Sequence, residues 1–323
     1  MKKIKLIINA DDFGLTKSVS DAIITAHRKG ALTSTTLLAG AEYAGYAAEL
    51  ARGCPRLSVG IHFQLVAGRP VTRDLSRIKT LVDENGMFPD NFISFFKKLH
   101  TGRINYGHIK IELLNQVKKA LALGVKISHA DSHQHLHMHP FVLGTVLEVM
   151  REAGICKLRN PVEVFNYKLH RPLKLSAGNI IKIIYMNPLY KKWYGRRLSS
   201  SNVLYPDIFF GQFFSGAMTL DKFLKFLAHA RAAIDSGYAC GANGPVCEIM
   251  THPGAADEYN NIAGCDAEFQ KYLWHEEFLA LTSAELTKKI NEHGFTLCGY
   301  DSLQAGAKVF APPLPDENKR SAI

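Results

Sequence analysis

Short apolar runs rich in β-branched residues alternate with amphipathic stretches along most of this chain, and that alternation constrains the fold more than any other feature. Strands are predicted at 4–9, 32–40, 57–63, 125–133, 156–161, 246–254 and 295–300. Helices are predicted at 18–30, 43–53, 90–101, 107–123, 141–154, 221–237 and 283–294, with Ser18 and Asp21 resembling a capping box for the first and Gly30 its stop. Strand–helix repetition implies a parallel sheet with helical crossovers. At least seven strands suit a distorted (β/α) TIM-like barrel of the α/β class better than a small open sheet.

In a parallel barrel the chemistry gathers at the C-terminal ends of the strands. Four polar clusters sit at predicted strand ends: NADDFG (9–14), GIHF (60–63), HADSH (129–133) and MTHPG (250–254). Their convergence on one mouth argues for an enzyme. The chain of 323 residues is long enough for one large domain with a substantial core. No apolar run approaches the roughly 18 residues needed to cross a bilayer, and the N-terminus does not resemble a signal peptide. The six cysteines form no CxxC pair, which disfavours a structural zinc knuckle. A cytoplasmic protein with reduced thiols is expected.

ADSHQHLHMHP (130–140) places histidines at 133, 135, 137 and 139. Pro140 disfavours helix just before it, so an extended or looped course is expected. Alternate residues of a strand lie about 6.6–7 Å apart on one face. A metal bound about 2 Å from one imidazole cannot easily take the next as well. One histidine of the run, or at most two, is then a ligand, and the others line the pocket or orient their neighbours. A helical course would instead pair His133 with His137, as in HExxH sites. Polar histidines with no metal are the plainer alternative. Asp11 and Asp12 are costly after a buried strand unless paired or cation-bound, although Asp12 also suits a helix cap. His62 and His252 each end an apolar strand, where a ligand and a hydrogen-bonded core histidine are both reasonable.

Taken together, INADDFGL, GALTSTTLLAGA, VGIHFQLVAGRPV, HADSHQHLHMHP, LRNP (158–161) and EIMTHPG resemble the YdjC / ChbG–HpnK family of carbohydrate deacetylases. The likeness covers most of 1–155 and 245–300 and leaves roughly 162–215 unmatched. It implies a distorted barrel and metal-dependent removal of acetyl from an N-acetylated amino sugar. It further implies Asp12, His62 and His133 as ligands of a divalent ion (Mg or Zn), Asp11 as base and His252 as acid. His135 and His137 become pocket residues, and Arg159 a contact to substrate or to a carboxylate.

Residues 161–200 carry eight Lys/Arg against Glu163 alone, which is +7 of the net +10. The expected organisation is a barrel over 1–305 with a basic, aromatic insertion at 161–215, then a flexible tail at 306–323. The insertion is either a solvated cover or dimer contact, or a patch for an anionic membrane at its inner face, which would make a lipid-linked amino sugar the substrate. A homodimer and no nucleic-acid partner are expected. Two rivals stand beside the deacetylase. A phosphoesterase-like hydrolase would want more carboxylates. A non-enzymatic basic module binding membrane or nucleic acid leaves the Asp/His set unexplained.

Overall fold

Strand β1 (Ile4–Phe13) is buried along its length except at Lys5, the near-continuous apolar pattern of a central parallel strand. It runs past the predicted end at residue 9. Its pairing with β2 (Ser34–Leu37) holds at Asn9↔Ser34 and Ala10↔Thr35, breaks, and resumes at Phe13↔Leu37. Asp11 and Asp12 occupy the break, and Asp12 has the positive φ of 63° that such an irregularity demands. The computed structural model describes residues 3–163, 187–237, 244–255 and 269–304.

The remaining strands are β3 (Ser58–Phe63), β4 (Ala130–Ser132), β5 (Ile208–Phe210), β6 (Val246–Thr251) and β7 (Phe295–Leu297). All pairings are parallel, in the order β4-β3-β2-β1-β6-β5, with β7 against the start of β1. The helices are α1 (Lys17–Lys29), α2 (Ala44–Arg52), α3 (Phe92–His100), α4 (Tyr106–Ala122), α5 (Pro140–Glu152), α6 (Pro188–Ser200), α7 (Leu220–Asp235), α8 (Trp274–Thr282) and α9 (Ala284–Glu292). Thr16, not Ser18, caps α1, its hydroxyl accepting from the Val19 amide at 3.0 Å. The expected α/β TIM-like class and single domain are observed as a curled half-barrel wrapped by helices.

The curl brings β1, β4 and β6 around one interior, where a single guanidinium, that of Arg159, reaches carboxylates on all three. Gly60 in β3 leaves room for the His129 ring, which a Cβ there would meet at 2.5 Å. His129 stacks in turn on Tyr300, centroids 3.5 Å apart.

Three expectations are corrected. The strand predicted at 156–161 is reduced to isolated bridges, Ala130↔Leu158 and Lys157↔Leu204. The strand predicted at 125–133 pairs only over its last residues. The segment 161–215 is not wholly an insertion, because Leu204 bridges to the barrel and β5 is one of its strands. Residues 164–186 and the tail 306–323 lie outside the described residues.

Candidate metal centre

Asp12 from the break in β1, His62 from the end of β3 and His133 just past β4 converge at the mouth of the half-barrel, with one ligand atom of each lying within 4.8 Å of the others. Asp12 Oδ1 is 3.6 Å from His62 Nε2 and 3.4 Å from His133 Nδ1, both too long for good hydrogen bonds. All three residues are buried. Neither carboxylate oxygen of Asp12 has a hydrogen-bond partner among the described residues, nor has Nε2 of His62 or of His133. A buried carboxylate without partners is costly, and a cation between it and the two imidazoles removes that cost. Two histidines and a carboxylate suit several divalent ions, zinc among them. The residues therefore fit a metal.

The surroundings orient His62. Its Nδ1–H donates to Asp131 Oδ1 at 2.7 Å, which turns Nε2 toward Asp12. A carboxylate behind an imidazole fixes the tautomer and strengthens a metal ligand. Burial pushes the His62 pKa down, but Asp131 outweighs it by charge and hydrogen bond, and Asp11 and Asp12 add to it, so the pKa rises to about 9. For Asp12, burial pushes the pKa up, and His133 and His62 more than offset it.

Asp11 has a different partner. Its two oxygens accept from Arg159 Nη1 and Nη2, both at 2.7 Å, and Asn9 Nδ2 donates to Oδ1 at 2.9 Å. Burial alone would raise its pKa, yet the Arg159 guanidinium holds it well below the usual carboxylate range. Arg159 is fully buried and also pairs with Asp131 at 2.7 Å and Glu248 at 2.8 Å. Of the two contacts expected for Arg159, it makes the one to carboxylates.

His252, just past β6, is buried with Nδ1 unpartnered among the described residues. Burial lowers its pKa against the raising charges of Asp11 and Asp12. Its backbone N–H donates to Glu277 of α8, whose other oxygen accepts from the Met218 amide at 2.9 Å. Burial pushes Glu277 up to about 7.

A family model for YdjC-like proteins matches residues 5–292. The chain belongs to this family. Among its relatives, a protein of Brevibacillus brevis named carbohydrate deacetylase is 30% identical over 305 residues, 93% of this chain and 99% of that one. Another of that name, from Geobacillus stearothermophilus, is 30% identical over 294 residues, 91% and 96% of the two chains. A solved structure from Enterococcus faecalis, provisionally named a cellobiose-phosphate cleavage protein, superposes with a TM-score of 0.68 at 29% identity, covering 93% of this chain and 99% of that one.

In this YdjC-like chain the histidine run is neither strand nor regular helix. His133–Met138 form a 3-10 turn interrupted by Gln134 and His135 at φ 53° and 54°. Of the run, only His133 joins the Asp12–His62 group among the described residues. His135 is half-buried, its ring edge-on to Phe209 with centroids 5.8 Å apart. The His137 ring is fully buried, with Ser132 Oγ at 2.6 Å from Nδ1 and the Arg159 carbonyl at 3.2 Å from Nε2. Burial and Arg159 lower its pKa to about 3, so it stays neutral. His139 caps α5 by accepting from the Phe141 amide at 3.3 Å.

Sequence reasoning assigned no role to Asp131, Glu248 or Glu277. For the first two a signal existed, since each is an acid inside an apolar strand motif. Glu277 stands on an ordinary amphipathic helix and gives none.

Proposed function

We propose that this enzyme, a hydrolase of amide bonds in the carbohydrate deacetylase class, removes acetyl from an N-acetylated amino sugar with the help of a divalent cation held by Asp12, His62 and His133. The observation that carries the reading is the buried Asp12 carboxylate, both oxygens without a hydrogen-bond partner among the described residues, with ligand atoms of His62 and His133 within 4.8 Å. A divalent ion there would polarise the acetyl carbonyl and acidify water. Asp11 acts as proton acceptor. Arg159 grips both its oxygens, so it is ionised and fixed in direction near neutral pH. His252 acts as proton donor to the departing amine, which leaves poorly unless protonated. Because burial keeps His252 neutral at rest, the proton it donates is the one Asp11 takes from water, relayed to the imidazole before the C–N bond breaks. His135 stands at the pocket wall. The test is acetate release from a panel of N-acetylglucosamine compounds, soluble and lipid-linked, with and without chelator. No acetate from any of them sinks the reading.

A two-metal phosphoesterase fits less well. Asp11, His62 and Asp131 also lie within 4.8 Å of one another, but the Arg159 guanidinium already supplies the positive charge between Asp11 and Asp131. The face of α6 supports contact with an anionic membrane: Leu189 is 79% and Trp193 40% exposed, beside exposed Lys192, Arg196 and Arg197. Apolar and cationic side chains sharing one exposed helix are what a lipid headgroup region binds. No helix among the described residues is long and apolar enough to cross a membrane.

A further inference from the structure

Tyr272 lies between the 3-10 turn Phe269–Lys271 and α8. Phe269 and Trp274, on either side of it, are each 3% exposed, whereas Tyr272 is only partly buried. Its ring centroid is 4.9 Å from that of His252, 5.3 Å from Phe269 and 5.2 Å from Trp274. Phe269 is itself 5.5 Å from His133. One aromatic wall therefore runs from His133 to His252, and of its members Tyr272 is the one that is not fully buried.

The ring is held in place. Its hydroxyl shares a hydrogen bond of 2.9 Å with Ser215 Oγ, and the Leu273 amide donates to the Gly216 carbonyl at 2.6 Å. Gly216 has φ +72°, and a Cβ there would meet Cγ and Cδ1 of Tyr272 at 2.1 Å. The ring thus rests on bare backbone that no other residue type could provide. An aromatic that only fills a core is buried. This one is anchored and partly exposed beside the groups assigned to the chemistry.

We propose that Tyr272, seated on Gly216, is the platform on which the pyranose ring of the substrate stacks. The inference rests on the deacetylase reading above and extends it to how the sugar is bound. A pyranose presents a face of C–H bonds that an aromatic plane shields from water while the hydroxyls stay solvated. Binding energy of this kind is equal in ground and transition states, so it acts on KM and leaves kcat nearly unchanged.

The test measures acetate release from an N-acetylglucosamine dimer by the wild type, Tyr272→Phe, Tyr272→Leu, Tyr272→Ala and Gly216→Ala, with metal content checked in each. Tyr272→Ala and Gly216→Ala should raise KM about tenfold with kcat within about threefold, and Tyr272→Phe should stay within about twofold of wild type in both. Tyr272→Leu keeps the bulk without the aromatic face, should follow Tyr272→Ala, and serves if the alanine variant does not fold. An unchanged KM in Tyr272→Ala or Tyr272→Leu overturns the platform. So does a Tyr272→Phe variant as impaired as Tyr272→Ala, which would assign the effect to the hydroxyl. If the wild type releases no acetate, the deacetylase reading fails by itself. The platform is then judged by tryptophan fluorescence during titration with the same dimer. Wild-type binding weakened about tenfold in Tyr272→Leu supports it, and equal binding or none overturns it.

Discussion

Kept in chelator, the protein should lose stability as pH rises above neutrality, because His62 holds its proton up to about 9 when folded. Asp131 is the chief source, with its oxygen 2.7 Å from His62 Nδ1. In the unfolded chain the same imidazole titrates near 6.5. A folded pKa above the unfolded one contributes stability that is fully present below pH 6.5 and lost as pH rises through about 9. At about 1.4 kcal/mol per pH unit the gap is worth about 3 kcal/mol, most of which disappears between pH 7 and pH 9. Glu277, raised to about 7, acts in the same direction but mostly below pH 7, so the upper window isolates His62. Urea unfolding of chelated protein at half-unit steps from pH 7 to pH 9 reads the effect directly. Asp131→Asn should reduce the slope to less than about 0.5 kcal/mol over that range, since the amide no longer holds a charge beside the ring. With metal present the trend should reverse, because ligation needs neutral imidazole. Chelated protein equally stable at pH 7 and pH 9, or an Asp131→Asn variant with the wild-type slope, would refute the reasoning.

Asp11→Asn should cut kcat by about 100- to 10,000-fold with metal content unchanged, whereas Asp12→Asn should lose the metal as well, as elemental analysis of the purified variants will read. Arg159→Met should cost about 3–5 kcal/mol in urea unfolding, because it leaves three buried carboxylates uncompensated. Vesicles rich in phosphatidylserine should co-sediment the wild type at low salt and bind an Arg196→Glu/Arg197→Glu variant at least about 30-fold less, since two cations lost at about 1 kcal/mol each make about 2 kcal/mol before the added acids count. Binding unaffected by the charges or by salt removes the membrane contact.

The barrel was legible because parallel strands buried on both faces are near-continuous apolar runs; at least seven strands were expected, and the described residues hold seven. Which seven was less legible. β5 is only the three residues Ile208–Phe210, too short to show a period, and α6 is hidden in a basic stretch whose composition suggests a loop. At the site, Asp12, His62 and His133 were legible as polar groups ending apolar strands. The outcome for the histidine run rests on different geometry from that expected. Two left-handed residues, Gln134 and His135, break the turn after His133, and no sequence pattern announces a positive φ at glutamine or histidine. Arg159 was visible, but its partners were not, because Asp11, Asp131 and Glu248 meet only when the sheet curls.

That meeting explains why one carboxylate is left over. The interior holds Asp11 and Asp12 from β1, Asp131 from β4 and Glu248 from β6, all buried. Arg159 takes both oxygens of Asp11 and one each of Asp131 and Glu248. The second oxygen of Asp131 accepts from His62, and the second of Glu248 from the Tyr300 hydroxyl at 2.7 Å. Only Asp12, displaced into the left-handed conformation at the break in β1, is outside the arginine's reach. Burial pushes the Glu248 pKa up, against the lowering charge of Arg159. Even with Glu248 neutral, three carboxylates face the guanidinium and one imidazolium. In the ligand role proposed for it His62 would be neutral, the deficit would be two charges, and a divalent cation would offset them.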